Sequence, residues 1–165
     1  MVDIGLLVLR VVLGIIFIGH GSQKLFGLFG GAELNGTIKW IGSMGLRPAW
    51  FWGLVASLSE FGGGVLLLLG LLSPLGSLGI IAAMLVAIIQ VHWSKGFWNT
   101  KGGIEFPLTN IAGALTLAFT GPGKYSLDSV LHYSLPEPIT LTIGLVLVVL
   151  GLIASQMTRS KRSKG

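Results

Sequence analysis

Cysteine is absent from the 165-residue chain. Its absence excludes disulfide exchange, thiolate catalysis and Cys-ligated metal or iron–sulfur centres. A redox role would have to run through a bound cofactor, a quinone or a partner. Charge is also scarce. Only 10% of the residues are charged, against roughly 25% in soluble domains, which excludes a large aqueous domain. Eleven basic residues face six acidic ones, a net charge of +5, but most of the cations sit in short loops and a tail beside apolar segments. That placement reads as topology determination and not as a nucleic-acid surface. What is abundant is apolar residues, at 52%, and glycine, at 26 positions. This is the composition of an integral membrane protein whose helices approach one another through small residues.

By length the chain is one domain, and its punctuation predicts five apolar helices. The first covers residues 4–21 and is interrupted by Arg10. With no basic leader and no A-x-A-like site, it reads as a permanent helix and not a cleaved signal. Residues 22–49 are mixed, and the piece from Asn35 to Met44 suits a short interfacial helix with Trp40 at headgroup level. The second helix runs from Trp50 to Leu72 and stops at Ser73-Pro74. The third runs from Leu75 to Trp93, the fourth from Pro107 to Thr120 and the fifth from Ile139 to Met157. The fold expected is therefore all-α and membrane-integral. Residues 1–130 make a four-helix transmembrane bundle core, residues 131–158 an added C-terminal transmembrane helix with its loop, and residues 159–165 a basic cytoplasmic tail. The loops after helices 1 and 3 and the tail carry the lysines and arginines, whereas the opposite side holds Lys124. The positive-inside rule then places the multi-pass chain in the cell membrane, N-terminus outside and C-terminus in the cytoplasm.

Glu60 is the anomaly in this pattern, a carboxylate near the middle of an apolar helix. An ionisable group at that depth costs at least roughly 2.5 kcal/mol unless it is compensated. Arg10 enters from the outer side to a comparable depth, so an Arg10–Glu60 pair between helices 1 and 2 is the economical reading. The functional alternative is that Glu60 titrates within a proton or quinone site. Other polar groups gather toward the cytoplasmic half: His20, Gln90, His92, Glu105, Thr109 and Asn110. Of these, Glu60, His20 and His92 are the candidate catalytic groups, and Arg10, Gln90, Glu105 and Asn110 the candidate cofactor-binding groups. No HxxxH or HxxE spacing is present, so no metal site is assigned. His20 and His92 share a membrane level, but nothing in their spacing demands bis-histidine haem ligation. Gly62-Gly63-Gly64 lies inside an apolar helix and suits close helix contact. A stripe of Gly76, Gly79, Ala83, Ala87 and Gln90 suits close packing on helix 3.

The segments RVVLGIIFIGHGSQKLFG, SEFGGGVLLLLGLL and HWSKGFWNTKGGIEFPLTNIAGALTLAFTGPGKYSLD resemble the DoxX family of small bacterial and archaeal membrane proteins. The marks are Arg10, His20-Gly21, Lys24, Glu60 with Gly63, Gly96-Phe97, Glu105 and the Gly121–Asp128 ending. The resemblance implies a four-helix core. It also implies membership in oxidoreductase assemblies, since the family takes its name from a subunit associated with quinone-linked thiosulfate oxidation, and some relatives accompany soluble detoxifying enzymes.

Three functions compete. The first is a non-autonomous subunit of a membrane oxidoreductase system, with quinone as cofactor and a soluble or membrane redox partner. The second is a non-enzymatic scaffold or assembly factor, with a homodimer as one form. The third is a small-molecule or proton conduit, for which the chain offers no inverted repeat and one deep carboxylate.

Overall fold

The computed structural model describes residues 1–160. Of the basic tail, Lys161, Arg162 and Lys164 lie outside the described residues. Among the described residues seven α-helices form: α1 (Val2–Phe26), α2 (Glu33–Ser43), α3 (Ala49–Leu69), α4 (Leu75–Ala87), α5 (Glu105–Thr120), the single turn α6 (Leu127–Val130) and α7 (Glu137–Met157). Four stretches of the described residues are long and apolar enough to cross a membrane: Val2–Phe26, Ala49–Leu69, Leu75–Lys95 and Pro138–Met157. With 16 residues, or about 24 Å at 1.5 Å per residue, α5 is shorter. It completes the four-helix core against α1 and α4. The C-terminal α7 is the fifth long helix and packs on α4.

The close packing of α1 on α3 follows from glycine. A methyl group at Gly64 would lie 2.7 Å from the Ile18 backbone nitrogen, and one at Gly14 would lie 2.8 Å from Leu68 Cβ. Gly21 meets the Phe61 backbone in the same way. These contacts fix an antiparallel register in which position 14 faces positions 64–68 and position 21 faces position 61. Phe17, Ile80, Ala114 and Leu117 fill the centre of the resulting bundle.

That register overturns the Arg10–Glu60 pair. The carboxylate of Glu60 is bound by Lys24. Arg10 instead donates from Nη2 to the Tyr125 carbonyl at 2.6 Å, at the far end of α3. The cause is the length of α1. Its polar end does not leave the helix at Gly21 but continues to Phe26, where Gly27 stops it in a left-handed conformation at φ 69°. Ser22 is buried there, and Lys24 enters the last turn opposite Glu60. Gly70 ends α3 at φ 62°, and a side chain at this position would overlap the Arg10 guanidinium.

The expected interfacial helix forms as α2, but it does not merely lie along a surface. Its Thr37 is buried and donates to the Lys24 carbonyl at 3.2 Å. Ile38 packs over Gly53 of α3. The tip of α7 is tied to the connection between α2 and α3: the Ser160 nitrogen donates to the Gly45 carbonyl at 2.9 Å, and Trp52 Nε1 donates to Thr158 Oγ1 at 3.1 Å. Because α7 is held along α4 and pinned at this end, a half-open space lies between them and α3.

Candidate functional site

The space is a chamber of about 400 Å³ bounded by α2, α3, α4 and α7. Small residues create it. The stripe of α4 divides its work: Gly76 packs against α3, where a methyl would lie 3.0 Å from the Gly63 carbonyl, whereas Ala83, Ala87 and Gln90 face the chamber. On the α7 side a side chain at Gly151 would meet open space. Leu75, Leu78, Val86, Leu147 and Val148 are part of the remaining apolar wall.

Two polar stations interrupt this wall. The first is the Lys24–Glu60 pair, whose side chains are 23% and 6% exposed. Glu60 is the more buried of the two, so loss of Lys24 would strand its charge in a low effective dielectric, whereas Lys24 keeps partial exposure. The second is Gln90. Both of its side-chain polar atoms are buried and lack a hydrogen-bond partner among the described residues. Gln90 sits in a π-helical turn, Ile88–His92, that continues α4. Such turns redirect side chains and concentrate at functional sites. Gly79 packs on the Ser59 carbonyl, next to Glu60, and Gln90 follows eleven residues later, about 15 Å along α4. Helical Cα–Cβ bonds tilt toward the N-terminus. On antiparallel α3 and α4 the two Cβ atoms therefore lean toward one another, but the Gln90 amide itself is sealed, so the stem of its side chain borders the chamber.

The chamber thus gathers two of the candidate residues, Glu60 and Gln90, and adds Lys24. The other candidates lie elsewhere. Arg10 is 1% exposed at the opposite end, beside a cavity of about 10 Å³, enough for a single water. His20 is exposed, its ring edge-on to Phe106 at 5.9 Å. His92 donates from Nδ1 to the Gly102 carbonyl at 2.5 Å. Glu105 accepts from the Asn99 nitrogen at 2.8 Å. These two contacts fold the connection between α4 and α5. Asn110 is buried and bonded within its own helix, to the Phe106 carbonyl at 2.8 Å. Among the described residues, no group of three or more His, Cys, Asp or Glu side chains gathers as a metal site would require.

The sequence pattern places Lys24 beyond the first apolar segment, whereas it lies in the last turn of α1, and a signal for that place exists. Arg10, Gly14, Phe17, Gly21 and Lys24 recur at four- and three-residue intervals, so they share one face of α1. The glycines on that face mark it as the contact with α3.

The DoxX family profile matches residues 5–93. The chain is 35% identical over 126 residues to "Putative oxidoreductase CatD" of Bacillus subtilis, covering 76% of this chain and 86% of that protein. It is 35% identical over 132 residues to the inner membrane protein YqjF of Escherichia coli, covering 79% and 94%. Over 132 residues it is 32% identical to the inner membrane protein YphA of the same organism, covering 74% and 87%. No solved structure matches the chain.

Proposed function

This chain belongs to the DoxX family of membrane proteins, and from that premise we propose that it is the quinone-binding membrane subunit of an oxidoreductase system. The name of the CatD relative points to oxidoreductase chemistry. The observation that carries the quinone reading is the chamber itself, with long apolar walls for a ring and its lipid tail and a buried protonatable pair facing the same space. Reducing a quinone to a hydroquinone takes up two electrons and two protons. Lys24 and Glu60 are the groups that would hand protons to the ring. Electrons would come from a partner, since the chain has no cysteine to carry them.

The positive-inside pattern gives the proposed orientation, with the N-terminus outside and the end bearing Lys24 and Gln90 toward the cytoplasm. A soluble redox partner would then dock at that end. A reporter fused to the C-terminus should be cytoplasmic, and a periplasmic or extracellular signal would reverse the orientation.

Trp40 and Trp52 line the chamber, which makes binding observable. Titrating a short-chain quinone into the purified protein in detergent should quench tryptophan fluorescence saturably. Gly151→Phe should weaken that binding while leaving the fold intact, because the new ring would occupy open space. Non-saturable quenching, or saturation that Gly151→Phe leaves unchanged, would remove the chamber as the quinone site.

A further inference from the structure

The chamber is tied shut at one end and open along one side. At the end that holds the tip of α7, the connection between α2 and α3 is stitched to that tip. Arg159 Nε donates to the Met44 carbonyl at 3.3 Å, Leu46 pairs with Arg159 in an antiparallel bridge, and the Ser160 nitrogen donates to the Gly45 carbonyl. Ile41 and Leu46, 2% and 1% exposed, belong to the chamber wall at this end. Away from the tip α7 packs along α4, and a slot separates it from α3.

Val55 of α3 and Leu147 of α7 line the chamber and yet are 38% and 61% exposed. They flank the slot at nearly the same depth. Gly144 meets Leu78, one residue before Gly79, which packs on the Ser59 carbonyl. From that level Leu147 lies three residues along α7, about 4.5 Å, and Val55 four residues back along α3, about 6 Å, both toward the tip of α7. Leu147 is also the middle residue of the 21-residue α7. The slot therefore faces the hydrocarbon layer and not the headgroups.

A molecule that enters from hydrocarbon must be apolar along most of its length. The chamber behind the slot is mostly apolar but holds the Lys24–Glu60 pair, which suits one polar head on an apolar chain. We infer that the chamber is loaded sideways from the bilayer through the slot between α3 and α7, and that its ligand is a long-tailed isoprenoid quinone whose tail stays in the slot while the ring reaches the Lys24–Glu60 pair. The inference rests on the quinone reading above and adds the route and the tail. A space of about 400 Å³ lies near the lower end for a drug-sized ligand, so it takes the ring and the start of the tail, and the rest leaves through the slot. Lipid chains are as apolar as the leucines and valines of the slot, so the tail gains little by moving from one to the other. Its fit in the slot, and not its hydrophobicity, then decides binding.

The test uses the full-length protein in phosphatidylcholine nanodiscs, with 2-methyl-1,4-naphthoquinone and the same ring carrying four isoprene units as probes. Tryptophan quenching is read against quinone per lipid, which removes the difference in partitioning. Val55→Phe/Leu147→Phe narrows the slot, and Val149→Phe, at an exposed position of α7 that does not line the chamber, is the control. The double variant should bind the tailed probe roughly tenfold more weakly, the scale of overpacking a filled site. It should keep its affinity for the bare ring but take that ring up more slowly in stopped-flow quenching. The control should match the wild type in all three. Leu147→Trp carries the same test should the double variant fail to fold. Equal losses for the two probes, or an unchanged uptake rate, would overturn the route and leave the quinone reading standing. A wild-type dimer that the double variant breaks, seen by native mass spectrometry, would put a second copy in the slot and overturn it as well. Failure of both probes to quench saturably would overturn the quinone reading and this inference with it.

Discussion

The two cations on the inner face of α1 meet opposite fates. Arg10 is sealed: it is 1% exposed, beside a cavity of about 10 Å³, and tied to the Tyr125 carbonyl. Lys24 is partly exposed, holds a carboxylate instead of a backbone group, and borders about 400 Å³ of open chamber. The segment after α5 explains the first environment. Asp128 accepts from the Leu72 and Ser73 nitrogens, both at 2.9 Å, and its own nitrogen donates to the Gly70 carbonyl at 3.1 Å. The segment thus locks over the turn between α3 and α4. Toward the other end α7 packs along α4 and only its tip is tied to Trp52 of α3, which leaves the chamber beside the Lys24–Glu60 pair. The same helix face therefore carries one cation that organises the fold and one that is available for chemistry.

The strongest test of that contrast is Arg10→Met, which nearly preserves the bulk of the side chain and deletes its charge. The Tyr125 carbonyl loses its charged donor, and the segment carrying Asp128 loses one of its ties to α1, the bond from the Lys124 nitrogen to Asp3 Oδ1 remaining. The expected cost is about 3 kcal/mol, or roughly 10 °C in thermal unfolding followed by tryptophan fluorescence. Gly151→Phe should leave the same transition nearly unmoved. If the two variants melted together, the division into a locked end and an open end would be wrong.

A smaller effect on stability, but a larger one on chemistry, is expected at the second cation. Glu60→Gln leaves Lys24 charged, but its partial exposure lets the amine turn toward the chamber, so the melting point should fall by less than in Arg10→Met. Quinone-dependent turnover with the electron-donating partner should fall about 100-fold or more, the usual scale for losing a positioned proton-transfer group. The double variant Lys24→Met/Glu60→Leu removes both charges and should recover stability, as replacement of buried ion pairs by apolar groups often does. It should not recover turnover. Recovery of both would make the pair a structural pin like Arg10.

Much of this organisation was legible in the sequence. The five apolar segments, their proline and glycine stops, and the cost of Glu60 in lipid all lay on the surface of the chain. The partner of Glu60 did not. Arg10 and Lys24 share a face of α1, fourteen residues apart, or about 21 Å. Which of them meets Glu60 depends on how far α1 slides along α3. That sliding is set by the contacts of Gly14 and Gly64 with the opposing backbone, a property of two helices together. The candidate site was hidden for the same reason. His20, His92 and Glu105 gather near one end in sequence-derived depth, yet depth says nothing about direction around a helix. His20 turns outward, and His92 and Glu105 are taken up by the loop between α4 and α5. The chamber needs α7, and only its packing on α4 shows which face of α3 remains uncovered.

The mildest test concerns the glycine run that precedes the locked end. Gly62, Gly63 and Gly64 are consecutive in α3, but they face three directions. A methyl at Gly62 meets nothing within 4 Å, one at Gly63 lies 3.0 Å from the Gly76 carbonyl, and one at Gly64 lies 2.7 Å from the Ile18 nitrogen. Gly62→Ala therefore gains helix propensity with no steric cost and should stabilise by about 0.5–1 kcal/mol. Gly64→Ala must push α1 away from α3. That shift acts on the register which brings Lys24 to Glu60 and Arg10 to Gly70, so both ends should loosen together. The measurement is thermal unfolding of the two alanine variants beside tryptophan quenching by the short-chain quinone. Gly62→Ala should raise the melting point and leave quenching unchanged, whereas Gly64→Ala should lower the melting point and weaken quenching. Equal behaviour of the two would mean that glycine content alone, and not the α1–α3 register, places the two cations.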